Sequence, residues 1–158
     1  LLQRISLKRQ LSAQQTGEAL RQAWHQFTPA IKKQAELVDG YARLQQAVDA
    51  GNYAEEAIRN YLRYSWNDSL IDRYGRLNTS DAQAQSVWAE TWLKEHPNNG
   101  PLLLCLGRLS LRNQLWGKAQ EYLQASIQLV PTTAAYGELI RIARLSSQHT
   151  GFLRYNRT

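Results

Sequence analysis

The sequence predicts an all-α chain built as an array of antiparallel helical hairpins. Apolar residues recur at helical spacing from Ala19 to Leu145, and no strand-period run of useful length occurs. Prolines and glycines punctuate those stretches at Pro29, Gly51, Pro97, Gly100 and Pro131. The stretch GPLLLCLGRLSLRNQLWGKAQEYLQASIQLVP, from Gly100 to Pro131, reads as two amphipathic helices and a tight turn. Its first helix carries Leu103, Leu106, Gly107 and Ser110 on one side; its second carries Trp116, Ala119, Leu123 and Ser126 before Pro131 stops it. Glycine inside a helix costs about 1 kcal/mol relative to alanine. Gly107 therefore predicts a close approach of two backbones, with Ala119 as the small residue facing it.

Taken in order, residues 1–11 mix Leu1, Leu2, Ile5 and Leu7 with Arg4, Lys8 and Arg9, as the remainder of a helix that starts upstream. A second helix over about 13–27 aligns Ala19, Leu20, Ala23, Trp24 and Phe27. Thr28-Pro29 restarts the chain, proline suiting a first helical position. The next helix, about 29–50, is expected to bury Leu37, Tyr41, Leu44 and Val48 and to stop at Gly51. Asn52 and Glu55 form a candidate capping box for a helix with Tyr53, Ala57, Tyr61 and Leu62. Asn67-Asp68 caps a short helix with Leu70, Ile71, Tyr74 and Leu77, and a polar break follows at 78–81. Its partner carries Ala84, Val87, Trp88 and Trp92 and ends at His96-Pro97, because proline drives the preceding residue out of the helical region. After Pro131, Thr132 and Thr133 cap a helix with Tyr136, Leu139, Ile142, Ala143 and Leu145. A break at 146–151 is expected before Phe152, Leu153 and Tyr155 begin a second helix.

The 158 residues are 43% hydrophobic and 20% charged, which suits one domain (1–158) with a continuous core and excludes wholesale disorder. Residues 1–50 carry +3, residues 51–100 carry −2 and residues 101–158 carry +5. The C-terminal part is suited to an acidic partner, while the central acidic excess argues against nucleic acid. The single cysteine, Cys105, sits in an apolar helix and reads as a small buried hydrophobe. No apolar run approaches the roughly 20 residues of a membrane span. No P-loop, GxSxG elbow, HExxH or CxxC occurs, so no catalytic residue or metal set is proposed and the chain reads as non-enzymatic.

The 100–133 stretch resembles a tetratricopeptide (TPR) repeat of about 34 residues. Leu106-Gly107 matches the Leu-Gly pair, Trp116 the aromatic after the turn, Ala119 the small residue and Pro131 the closing proline. Leu103 and Ser110 depart from the usual Trp and Tyr. Weaker repeats are expected at about 29–66, with one extra residue in its Gly51-Asn52-Tyr53 turn, and at 67–99 and 134–158. The resemblance implies a TPR-like right-handed superhelical array of hairpins, each burying its apolar face on the next. More narrowly, Tyr74-Gly75-Arg76-Leu77, AETWLKEHP (89–97), the LGRL and LWGKA segments and Ala135-Tyr136-Gly137-Glu138-Leu139 resemble the HemY family of bacterial TPR proteins. That resemblance implies an inner-membrane protein, anchored by helices upstream of Leu1, with this part soluble; of the two sides of the membrane the cytoplasmic one is favoured and the other stays open. It implies a scaffold role in haem (porphyrin) biosynthesis, with biosynthetic enzymes as protein partners. The unrelated flavin-dependent oxidase of the same name needs a GxGxxG motif, which is absent.

Aligned on the TPR pattern, Leu104, Arg108, Leu111 and Arg112 fall on the concave side, with Arg76 before them and Arg141 or Arg144 after. Arginine grips carboxylates through paired hydrogen bonds, so this set is the candidate partner-binding groove, suited to acidic segments, peptide C-termini or porphyrin propionates. No cofactor is required. If the family link extends to haem, His96 or His149 is the candidate iron ligand, although the histidines form no metal-spaced pair.

Overall fold

The computed structural model describes residues 2–155, apart from the side chains of residues 3, 6–8, 10, 11 and 149–155. Among the described residues every regular element is helical and no strand occurs, as predicted. The helices are α1 (Leu2–Gln26), α2 (Pro29–Lys32), α3 (Ala35–Ala47), α4 (Gly51–Leu62), α5 (Asp68–Arg76), α6 (Ala82–Trp92), α7 (Gly100–Arg112), α8 (Trp116–Leu129) and α9 (Thr133–Tyr155). They gather into two compact units, residues 1–81 and 82–158. The hairpin expected over 67–99 is thereby divided, α5 belonging to the first unit and α6 to the second.

In the first unit α3 and α4 form a hairpin; α5 adds Leu70, Ile71 and Tyr74 to its core and Leu77 follows just past the helix end, all four buried. The buried face of α3 is Val38, Tyr41, Ala42 and Gln45. Leu37 and Leu44, expected inside, are exposed. The reason lies in α1: Gln45 donates one hydrogen bond to the Gly17 carbonyl (2.8 Å) and another to the Tyr41 hydroxyl (2.8 Å), which turns that side of α3 inward. Gly17 permits the contact, since a Cβ there would lie 2.5 Å from that of Ala50. The break expected between 11 and 13 is absent; α1 runs through, with Thr16 bonding back to the Ser12 carbonyl.

Gly51 does not end a helix. Asp49, at φ 56°, takes the left-handed position, and Gly51 opens α4. The Ala50 N–H reaches the Gln45 carbonyl (2.8 Å) and the Asp49 N–H the Gln46 carbonyl (3.1 Å), the paired bonds of a Schellman stop. The capping box is also absent. Asn52 instead exchanges two bonds with Ser80 (2.9 and 2.8 Å). Glu55 accepts from Arg59 and from the Tyr74 hydroxyl, both at 2.8 Å.

The second unit repeats this turn. After α7, Gln114 is left-handed (φ 60°), and the N–H groups of Leu115 and Gln114 reach the Ser110 (2.9 Å) and Leu111 (3.0 Å) carbonyls. Asp49 and Gln114 are 65 residues apart, and the same offset relates Tyr41-Ala42 to Leu106-Gly107, Ala54 to Ala119 and Ile58 to Leu123, every one buried. The first hairpin thus has no extra turn residue, and its small residue is Ala54 rather than Ala57. Gly107 is closely approached, but by the side chain of Leu123, one turn beyond Ala119, and not by the backbone at Ala119. Leu104, Leu111, Ala119, Leu123, Ala135 and Ile142 form one core, with Trp116 packed against it.

Two further expectations fail in this unit. The buried face of α6 is Gln85 and Ala89, whereas Val87 and Trp88 are exposed. The break at 146–151 is absent from the backbone, α9 continuing to Tyr155. Ser, Gln, His and Thr each cost a helix well under about 1 kcal/mol and glycine about 1, so nothing there forbids continuation as a proline would. The side chains of Phe152, Leu153 and Tyr155 lie outside the described residues.

Helix starts keep a regular beat. Gln34, Asn67 and Asn99 are the N-caps of α3, α5 and α7, and Thr132 precedes α9. The last three cap through the side chain, accepting from the N–H three residues on: Leu70 to Asn67 (2.9 Å), Leu102 to Asn99 (2.8 Å) and Ala135 to Thr132 (3.1 Å).

Candidate functional site

The predicted arginine groove divides on inspection. Leu104 and Leu111 are buried against α8 and α9, so they are core residues and not a groove wall. Ala119 and Leu123 of α8 and Ala135 and Ile142 of α9 share that core with them. Arg108 lies beside them with its side chain 10% exposed, paired at 3.5 Å with Glu138, itself 16% exposed. Glu138 also pairs with Arg141 (3.6 Å). Arg112 donates to the Gln85 side chain (3.3 Å), and burial lowers its pKa from the ordinary guanidinium value. The two innermost arginines therefore already meet polar partners inside the second unit. Arg141 and Arg144 are exposed on α9. Arg76 belongs to the first unit, exposed and paired with Asp72 (3.2 Å) on the same helix.

His96 is half-buried after α6, its N–H bonded to the Trp92 carbonyl (3.0 Å). The His149 side chain lies outside the described residues. Among the described residues no group of three or more His, Cys, Asp and Glu is placed to hold a metal ion, and no helix is long and apolar enough to cross a membrane.

No family model, no curated protein and no solved structure matches the chain.

A second site was not foreseen in the sequence. In the first unit, residues of α1, α2, α3 and α4 and the segment after α4 line a half-open cavity of about 840 Å3. Trp24 stacks on Tyr41 at its wall, with ring centroids 4.5 Å apart and planes 10° from parallel. Arg21 lies across the Tyr53 ring at 5.2 Å and reaches Glu56 at 3.3 Å. The Tyr53 hydroxyl donates to Glu18 (2.6 Å), which lowers the Glu18 pKa and raises that of Tyr53. Its contributors come from four helices, so no local spacing announces it. The available sequence signal was only the density of Trp, Tyr, Lys and Arg between residues 21 and 64.

Proposed function

We propose that the chain is a non-catalytic TPR scaffold, the soluble part of a HemY-like inner-membrane protein that gathers proteins of haem biosynthesis. The observation that carries this reading is the recurrence of helix starts at Gln34, Asn67, Asn99 and Thr132, 32 or 33 residues apart. That period is close to the roughly 34 residues of a TPR unit. The repeated Schellman turn and the small residues Ala54 and Ala119 in matching places add to it. A helical repeat cannot bury its apolar face alone, so stacking is its source of stability and its long face a natural partner site. On this reading the exposed Arg141 and Arg144 meet carboxylates of the partner, more than the partly buried Arg108 and Arg112 do.

The deciding experiment is co-purification of the full-length protein from its native membrane. Recovery of haem-pathway enzymes, lost with Arg141→Glu and Arg144→Glu together, supports the proposal. Recovery of an unrelated complex makes the chain a general adaptor, and recovery of neither overturns the scaffold reading.

A further inference from the structure

The cavity of the first unit carries an inference that stands apart from the scaffold reading. Its volume of about 840 Å3 falls within the roughly 300–1,000 Å3 of small-molecule sites. Its lining combines rings and positive charge. Trp24, Tyr61 and Tyr64 are at its wall, and Arg21, Lys32, Lys33 and Arg63 stand against the single carboxylate of Glu56. Glu56 engages Arg21 alone among those cations, in a pair at 3.3 Å. Arg21 is still under-satisfied, because its Nε is buried with no hydrogen-bond partner. Lys33, Arg63 and Tyr64 are exposed at the edge, where they are accessible to an incoming molecule.

From this combination we propose that the cavity binds a small, flat aromatic molecule bearing several carboxylate, sulfonate or phosphate groups. The apolar ring of such a ligand replaces water against Trp24 and the tyrosines, where offset or edge-on ring contacts add to burial. Its anionic groups meet Lys32, Lys33 and Arg63, in charge-assisted hydrogen bonds stronger than neutral ones. A neutral aromatic ligand leaves Lys33 and Arg63 unanswered, whereas Lys32 already donates to the His25 carbonyl (3.3 Å) and Arg21 to Glu56. A simple inorganic anion leaves the rings wet.

Pyrenetetrasulfonate is a suitable probe, titrated into the intact chain by calorimetry with neutral pyrenemethanol as control. The expected result is one site for the anionic dye and markedly weaker binding of the neutral one. Lys33→Glu with Arg63→Glu, both at exposed positions, weakens the dye about tenfold or more while circular dichroism stays unchanged. Dye binding quenches tryptophan emission, and Trp24→Phe removes most of that quenching. Equal affinity for the two dyes, or unchanged affinity in the charge-reversed variant, overturns the proposal. So does an acidic, phenylalanine-containing peptide that binds where the dye does not.

Discussion

Leu123 occupies the space that a side chain at Gly107 would need. A Cβ built on Gly107 would lie 2.6 Å from both Cγ and Cδ2 of Leu123, and Leu123 is fully buried. Gly107→Ala gains about 1 kcal/mol of helix propensity and meets an overpacking cost of about 1–3 kcal/mol. The expected outcome is a net loss of about 1 kcal/mol in urea unfolding, turning into a gain when Leu123→Ala is already present. Gly137 is the control, with nothing within 4 Å of its added Cβ. Gly137→Ala is expected to stabilise by about 0.5–1 kcal/mol. Equal gains at both positions would remove the close contact from the account.

Gly51 presents a harder collision. An added Cβ would lie 1.9 Å from the Asn78 carbonyl oxygen, and backbone cannot rotate aside as a leucine tip can. The two Asn52–Ser80 bonds hold the same stretch against α4. Gly51→Ala is expected to cost about 3 kcal/mol or more, and Asn52→Ala about 1–2 kcal/mol, two hydrogen bonds at modest net value each. Hydrogen exchange of residues 77–81 should rise in both variants.

What could be read in the chain beforehand was whatever closes over a few residues. The Asn67 and Asn99 caps bond three positions along, and the Leu70, Ile71 and Tyr74 face is set by one helix's own period. What could not be read depended on a distant partner. Gln45 faces inward because the Gly17 carbonyl, 28 residues away, accepts its proton. Gln85 is buried with Arg112, 27 residues on, donating to it. Leu104 and Leu111 are core because residues of α8 and α9 pack on them. The cavity draws on four helices, and only the density of aromatic and basic residues between 21 and 64 hinted at it. Hydrophobic spacing marks where helices are, whereas a polar residue's orientation is settled by its partner.

The Tyr53–Glu18 bond predicts two limbs of pH dependence. Accepting from Tyr53 lowers the Glu18 pKa below 4.5, so the unfolded chain takes up that proton first and stability falls as pH drops through the carboxylate range. Donating to Glu18 raises the Tyr53 pKa above 10.0, so the unfolded chain loses that proton first and stability falls as pH rises past it. Tyr53→Phe removes the bond and should flatten both limbs. Urea midpoints across the acid and alkaline ranges measure this, with Tyr64→Phe, at an exposed ring, as the variant expected to change neither.

Arg108 and Glu138 bind the α7–α9 contact through charge. Their side chains are 10% and 16% exposed and 3.5 Å apart. Removing one member of a largely buried pair leaves the other charge desolvated, at about 3–5 kcal/mol, whereas replacing both with apolar residues is often nearly neutral. Arg108→Glu sets two carboxylates together and should unfold the second unit's α9 before it reports anything about a partner. Arg141 stays 3.6 Å from Glu138, so Arg108→Leu is expected to lose less than that full penalty, about 1–3 kcal/mol, and adding Glu138→Leu to recover most of it. Denaturant melts of the two singles and the double give the coupling. If the double instead loses the sum of the singles, the pair is not a unit, and Arg108 returns to the set of residues open to an acidic ligand.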